Sequence, residues 1–224
     1  MGEARAVRSV RDRPHHDPDR ERDLRPPGRS ALKAAKSGDD QMRIIAGTAR
    51  GRRLLPAKSA AIRPTADRVR ESIFNVLGQN LDGEDVLDLF AGTGALALEA
   101  LSRGARSAVL VDSDRGAILL CKGNAEALGF GDRTRIIAAP VARALKLLQR
   151  EGAGFDLIFA DPPYAARAVL QTLGEIEAAS LAKPGGRVCI EHDKRESAPE
   201  SLRGLSRIDQ RRFGDTVVSI YRVS

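Results

Sequence analysis

The chain has 224 residues, of which 30% are charged and 4% are aromatic, and its net charge is +7 at pH 7. This length accommodates one domain of roughly 180 residues together with an extension. No apolar run approaches the roughly 20 residues of a membrane span, and no apolar signal-peptide segment opens the chain, so we expect a cytoplasmic protein without a membrane partner.

Residues 1–41 are rich in Arg, Asp, Pro and Gly and show no hydrophobic periodicity. A segment of this composition buries too little apolar surface to fold, so we expect a disordered extension. Its adjacent histidines, His15 and His16, are not expected to bind a metal. Met42 opens a well-patterned segment, which leaves open the alternative that translation starts there.

Residues 42–70 hold the excess of positive charge, with eight Lys or Arg against one Asp or Glu. A block of one sign favours a polyanionic partner, with nucleic acid first. The pattern predicts two short strands around a turn at 49–51 and then an amphipathic helix over 66–77 with Thr65 as its N-cap. We therefore treat residues 42–80 as a basic hairpin and helix.

Strands and helices alternate from Asp85 onward, which predicts a mostly parallel sheet with helices on both faces. The tail instead predicts an antiparallel hairpin of strands 205–213 and 216–222, giving seven strands in an α/β domain over 81–224. The other predicted strands are 85–90, 106–112, 134–139, 155–160 and 186–191, and the predicted helices are 95–103, 114–128, 140–150 and 166–180.

The first of these strands runs into the glycine turn Gly92-Thr93-Gly94 and then into a helix. Glycines allow a close approach of the backbone to a ligand, and the N–H groups that open a helix are unpaired, so a nucleotide-like ligand is expected. Asp88 lies inside the end of this strand and Asp112 lies at the end of the next one, where a carboxylate can accept hydrogen bonds from ribose hydroxyls. The spacing Gly92-x-Gly94-x-x-Ala97 also fits a nicotinamide-dinucleotide enzyme. Asp161-Pro162-Pro163-Tyr164, directly after the strand 155–160, favours methyl transfer over hydride transfer.

These motifs resemble a known family. The run 88–94 with Asp112 and with 161–164 resembles the class I S-adenosylmethionine-dependent amino-methyltransferases. Within that class, the runs 42–51, 63–75 and 96–105 are similar to the bacterial 16S ribosomal RNA guanine-(2-amino) methyltransferases of the RsmD type, and the match covers 42–224. The resemblance implies a Rossmann-like fold, S-adenosylmethionine as cofactor, and 16S ribosomal RNA or the assembling small subunit as partner of a monomeric enzyme.

The resemblance also implies roles for single residues. The expected cofactor-binding residues are Asp88, Phe90, Gly92, Thr93, Gly94, Asp112, Ser113 and Ala139. The expected RNA-binding residues are Arg50, Arg52, Arg53, Arg63, Thr65, Arg68 and Arg70. The expected catalytic residues are Asp161, Pro162 and Tyr164. The chain departs from the class after the third strand, where 138–141 offers no acidic or amide side chain for the adenine amino group.

The chemistry of an exocyclic amine explains the catalytic motif. Its lone pair is delocalised into the ring, so it attacks poorly until acceptors bind its N–H groups and offset the developing positive charge. The Asp161 carboxylate and the Pro162 carbonyl are suitable acceptors, and Tyr164 offers a face for stacking a flipped-out base. No cysteine nucleophile or metal is needed, and we expect Cys121 and Cys189 to be buried thiols.

Two other functions compete with this one. A DNA adenine or cytosine amino-methyltransferase would use the same tetrapeptide, but the 183 residues from Met42 leave no room for a separate target-recognition domain. A non-catalytic RNA-binding module on this fold would be expected to have lost Asp161 or the glycines, and both are present.

Overall fold

The structure is a computed structural model that describes residues 42–56, 64–163 and 168–224, with the backbone alone at 64–66. The expectations for residues 1–41, Arg63 and Tyr164 lie outside these residues. The helices of the described part are α1 Pro64–Leu77, α2 Ala95–Ser102, α3 Arg115–Leu128, α4 Val141–Arg150 and α5 Ala168–Ala179. Its strands are β1 Asp85–Asp88, β2 Ser107–Asp112, β3 Thr134–Ala138, β4 Phe155–Ala160, β5 Ala182–Asp193, β6 Ser201–Leu202, β7 Leu205–Phe213 and β8 Thr216–Val223.

All eight of these strands belong to one sheet, in the order β3-β2-β1-β4-β5-β8-β7-β6. The strands from β3 to β5 are parallel and the last three are antiparallel, which confirms the predicted mostly parallel sheet with a terminal hairpin. The strand missing from the sequence prediction is β6, which has two residues and is too short to show a pattern. Because β1 pairs with both β2 and β4, the chain reverses its strand order beside β1, where ligands bind in open α/β sheets.

Helices cover both faces of the sheet, as the alternation predicted. Successive residues of β1 face opposite sides, so that Val86 packs in one core and Leu87 in the other. The first core contains Phe74 of α1 and Leu98 of α2, whereas the second contains residues of α4 and α5. Burial on both faces explains why the parallel strands are apolar along most of their length.

The basic segment 42–56 packs on α2 instead of forming the two predicted strands. Its strand pairing is reduced to one antiparallel bridge between Arg43 and Arg53. The amide groups of Ile45 and Ala46 donate to the Glu99 carboxylate at 2.7 and 2.9 Å, so these donors are satisfied by α2 rather than by a neighbouring strand. The N-cap prediction also needs correction, because α1 begins at Pro64 and Thr65 therefore lies within its first turn. Proline suits that position, since its fixed φ is helical and its missing N–H has no acceptor there.

None of the described helices combines the length and the apolar character that a membrane crossing requires.

Candidate active site

A cavity of about 560 Å³ opens where β1, β4 and β5 end, a volume typical of small-molecule sites. Its walls come from the loop after β1, the start of α2, one side of α1, the residues at the ends of β4 and β5, and the turn between β7 and β8. Four of the predicted cofactor-binding and catalytic residues line it together, namely Phe90, Gly92, Thr93 and Asp161. Strands far apart in sequence are brought to one edge by the parallel topology.

The glycine loop gives this cavity room for a ligand. Gly92 and Gly94 have φ values of 55° and 79°, which side chains rarely adopt. A Cβ on Gly94 would lie 2.9 Å from the Leu110 side chain, whereas a Cβ on Gly92 would meet nothing within 4 Å. The space beside Gly92 is therefore open. Helix α2 starts directly after Gly94, and Ala95 and Leu96 of its first turn line the cavity.

Asp112 lies on the other side of the glycine loop. Its Oδ2 accepts a hydrogen bond from the Gly92 amide at 2.9 Å, and its Oδ1 accepts one from the Asp114 amide at 2.8 Å. A carboxylate has about four acceptor positions, so capacity for two more donors remains. Ser113 follows it at the surface, and the Ala139 amide donates to the Asp112 backbone carbonyl at 3.0 Å. The structure thus groups Asp112, Ser113 and Ala139 beside the loop.

Asp88 is buried, whereas a carboxylate that accepts from ribose hydroxyls would have to be open to the ligand. It is 3% exposed and does not line the cavity. Burial raises the pKa of Asp88 to about 7, although backbone hydrogen bonds involving Ala97 and Phe90 act in the opposite direction. Through its hydrogen bonds with the Phe90 and Ala97 backbone, Asp88 stabilises the glycine loop and the start of α2.

Two carboxyl groups lie side by side on the cavity wall. Asp161 follows β4 directly, and Glu191 lies near the end of β5, with Ala160 and Ile190 paired just before them. Asp161 is open to the cavity, yet the surrounding protein raises its pKa to about 6 by desolvation. Burial, with a contribution from the Asp161 charge, raises the pKa of Glu191 to about 7. Pro162, the next residue after Asp161, is buried.

Sequence reasoning missed Glu191. The available signal was an acidic residue directly after the apolar run 188–190, at the end of a predicted parallel strand. The same rule identified Asp88, Asp112 and Asp161. It was not applied to Glu191, although the predicted strand 186–191 ends at this residue.

Arg70 also lines the cavity, which differs from the expectation that it contacts RNA. It is 4% exposed, and its Nη2 donates to the Arg43 carbonyl at 2.5 Å and to Asp67 at 3.0 Å. Its Nε lies 3.8 Å from a Glu99 oxygen and makes no hydrogen bond to any described residue. Burial lowers the pKa of Arg70, while the charges of Asp67 and Glu99 oppose that effect. Arg70 therefore presents a buried positive charge to the cavity.

The other predicted RNA-binding residues fall into two groups. Arg50, Arg53 and Arg68 are exposed, and Arg50 and Arg68 line a second cavity of about 350 Å³ between the basic segment and α1. Arg52 instead donates to the Leu128 carbonyl at 2.9 Å and to the Ala127 carbonyl, at the C-terminus of α3. The carbonyl groups there attract a cation, so Arg52 fastens the basic segment to α3.

The cysteines are buried, as expected, and burial raises the pKa of the Cys121 thiol to about 12. A thiol in this state is a poor nucleophile. Within the ranges 42–56, 64–163 and 168–224, no group of three or more His, Cys, Asp or Glu residues is arranged to hold a metal ion.

Comparisons with known proteins agree with this geometry. Residues 42–222 match the model of a family described as Conserved hypothetical protein 95. A Bacillus subtilis protein named as a candidate rRNA methyltransferase, YlbH, is 37% identical over 181 residues, which are 81% of this chain and 98% of that protein. Ribosomal RNA small subunit methyltransferase D of Escherichia coli is 39% identical over 141 residues, 63% of this chain and 69% of that protein. A solved Escherichia coli structure, titled as a candidate methyltransferase yhhF, has a TM-score of 0.73 at 30% identity and covers 82% of this chain and 98% of its own.

Proposed function

Because this chain belongs to the Conserved hypothetical protein 95 family, we propose that it transfers a methyl group from S-adenosylmethionine to the 2-amino group of a guanine in 16S ribosomal RNA. The observation that carries the proposal is the common cavity of the glycine loop and Asp161. Amino-methylation requires a cofactor site next to a carboxylate that accepts from the amine, and the shared cavity of Gly92 and Asp161 supports that arrangement.

The residues present fit S-adenosylmethionine. The open space beside Gly92 admits a ligand close to the backbone, and the spare acceptor capacity of Asp112 suits a ribose diol. Arg70 lines the cavity, and its positive charge would attract an anionic group such as the carboxylate of the cofactor. Phe90, Thr93, Ser113 and Ala139 complete the proposed binding site. When bound, the cofactor would supply an electrophilic methyl group, and the electrons of the C–S bond that breaks would stay on sulfur.

Asp161 acts on the amine that receives the methyl group. Its carboxylate accepts an N–H hydrogen bond, which favours a pyramidal nitrogen with an available lone pair. As the new N–C bond forms, positive charge develops on nitrogen, and a carboxylate fixed in a partly desolvated cavity stabilises that charge. The nitrogen must then lose one proton, and the raised pKa of Asp161 makes this carboxylate a competent acceptor. In this proposal the Pro162 carbonyl is a second acceptor, and Tyr164 stacks on the base.

The basic surface of Arg50, Arg53 and Arg68 supports an RNA partner. Helix α1 connects this surface with the active site, because Arg68 and Glu71 line the second cavity while Val69 and Ile73 line the first. A polyanion bound along α1 would therefore pass close to Asp161. We propose small-subunit ribosomal RNA, naked or within an assembling subunit in the cytoplasm, as that polyanion.

Single-turnover transfer of labelled methyl groups tests the function. The enzyme is incubated with small-subunit RNA, with assembled small subunits and with double-stranded DNA in separate reactions, and each product is digested to nucleosides. We expect the label in guanosine methylated on its 2-amino group. Label in N6-methyladenine or N4-methylcytosine, or label in the DNA alone, would reject the guanine assignment and favour the competing amino-methyltransferase.

A further inference from the structure

Asp161 and Glu191 form an acceptor pair on the cavity wall. The parallel pairing of Ala160 with Ile190 places the next residue of each chain at neighbouring positions, and adjacent strands lie roughly 5 Å apart. Both side chains line the same cavity. Two carboxylates on neighbouring strands that line one cavity can accept hydrogen bonds from two donors of the same ligand.

Both carboxylates are available to a ligand as far as the described residues show. No hydrogen bond or ion pair joins Asp161 or Glu191 to another residue within the part of the chain that the structure describes. The charged groups facing them across the cavity are Arg70 on α1, which is paired with Asp67, and Asp215 in the β7–β8 turn, which is paired with Lys194 at 2.6 Å. A carboxylate that faces a ligand-sized cavity and has no partner among residues 42–56, 64–163 and 168–224 is available for a ligand.

We infer that Glu191 determines base specificity by accepting the N1–H of the target guanine while Asp161 accepts an N–H of its 2-amino group. This inference rests on the proposed function and deepens it. Guanine presents N1–H and the 2-amino group as adjacent donors on its Watson–Crick edge. In adenine and cytosine the ring nitrogen beside the amino group is an acceptor, so Glu191 would face a lone pair and repel it.

The electrostatics of the pair agree with this role. Each carboxyl group has a raised pKa, and that of Glu191 is raised in part by the Asp161 charge. Two adjacent N–H donors would relieve this repulsion, whereas a ligand with a lone pair between the carboxylates would increase it. The site therefore favours a base with two neighbouring donors.

The test replaces the target guanine with 2-aminopurine, which keeps the 2-amino group but has an acceptor at N1. The guanine methylated by the wild-type enzyme is first located by digestion, and RNA with guanine or 2-aminopurine at that position is then compared by kcat/KM. Wild type, Glu191→Gln and the matched surface control Glu200→Gln are measured. The preference of each enzyme is its kcat/KM for guanine divided by its kcat/KM for 2-aminopurine. The intrinsic reactivities of the two bases are the same for every enzyme, so they cancel when these preferences are compared.

We expect wild type and Glu200→Gln to prefer guanine by roughly a hundredfold or more, since sites built to bind a donor strongly reject an analogue that lacks it. Glu191→Gln should lower this preference at least about tenfold, because the Gln amide can donate to N1 of 2-aminopurine. S-adenosylmethionine affinity and melting temperature should stay at wild-type values, which separates a change in specificity from a loss of structure.

Two results would overturn the inference while leaving the proposed function intact. One is a wild-type enzyme that methylates 2-aminopurine as fast as guanine, a result that requires no variant to fold. The other is an unchanged preference in Glu191→Gln. If the wild-type enzyme instead methylates no guanine in any small-subunit substrate, the proposed function fails and the inference fails with it.

Discussion

The backbone N–H of Gly92 donates a hydrogen bond to Oδ2 of Asp112 across 2.9 Å and so joins the glycine loop to the end of β2. The same carboxylate accepts the Asp114 amide through its other oxygen. Its orientation is therefore set before any ligand binds, which reduces the entropy that cofactor binding must overcome.

Asp112→Ala should weaken S-adenosylmethionine binding by about 1 to 3 kcal/mol, the usual loss when a charged hydrogen-bonding group is removed. Isothermal titration calorimetry measures the change. Asp132→Ala, at an exposed position before β3, is the matched control and should bind as wild type does. Equal affinities for Asp112→Ala and wild type would refute the assignment of Asp112 to the cofactor site.

Asp161→Ala should lower the single-turnover rate of methyl transfer on the order of a hundredfold, about 3 kcal/mol, because it removes a positioned charge that stabilises the transition state. Cofactor affinity should change little. Asp161→Asn should have an intermediate rate, since an amide oxygen still accepts a hydrogen bond but does not offset the positive charge. Full activity of Asp161→Ala would exclude the proposed mechanism.

The methyl-transfer rate should rise with pH across the range set by the acceptor pair. Both pKa values are raised, that of Asp161 to about 6 and that of Glu191 to about 7, so both groups are protonated at pH 5 and both are ionised above pH 8. Since the ionised forms accept the amine protons, activity should be lost as the pH falls from 8 to 5. Single-turnover rates at saturating cofactor measure this profile.

The matched variant for the pH profile is Glu191→Gln. It removes the group with the higher pKa, so its inflection should move to lower pH, toward that of Asp161 alone. A wild-type rate that is flat between pH 5 and 8, or an inflection that Glu191→Gln leaves in place, would disprove a role for this pair in the chemistry.

Arg50→Ala and Arg53→Ala should weaken RNA binding and each reduce the salt dependence of binding by about one counterion, because each exposed arginine is proposed to contact one phosphate. Arg150→Ala, at an exposed position on α4, is the control. Arg52→Ala should chiefly lower the melting temperature, since its guanidinium binds the end of α3. Filter binding at several salt concentrations measures RNA affinity and its salt dependence. A wild-type salt dependence in both Arg50→Ala and Arg53→Ala would contradict the proposed phosphate contacts.

Glu99→Ala should destabilise the fold by about 3 to 5 kcal/mol, the usual loss when one partner of a buried charged network is removed. Glu99 is fully buried, binds the Ile45 and Ala46 amides, and lies 2.8 Å from Arg103 Nη2. Denaturant unfolding measures the loss, and hydrogen exchange should show faster exchange at Ile45 and Ala46. The surface variant Glu126→Ala should be neutral. Slow exchange at both amides in Glu99→Ala would show that other contacts hold this segment.

Local patterns were sufficient to predict most of the fold and the central parts of the site. Apolar runs alternating with amphipathic helices predicted the parallel sheet, because burial on both faces leaves a continuous apolar signature in each strand. The positions of Gly92, Asp112 and Asp161 followed from the rule that parallel strands end at one edge. The cavity that joins Gly92 to Asp161 is the expected consequence of that topology.

The tertiary structure decided the roles of residues whose sequence context is uninformative. Arg52 and Arg70 lie in the same basic block as Arg50, yet Arg52 binds α3 and Arg70 is buried against Glu99, because their guanidinium groups meet acceptors from distant parts of the chain. Glu191 resembles any polar residue at a strand end until β4 places Asp161 beside it. Composition and periodicity report what each segment can bury, whereas a contact between segments depends on which chain positions the fold brings together.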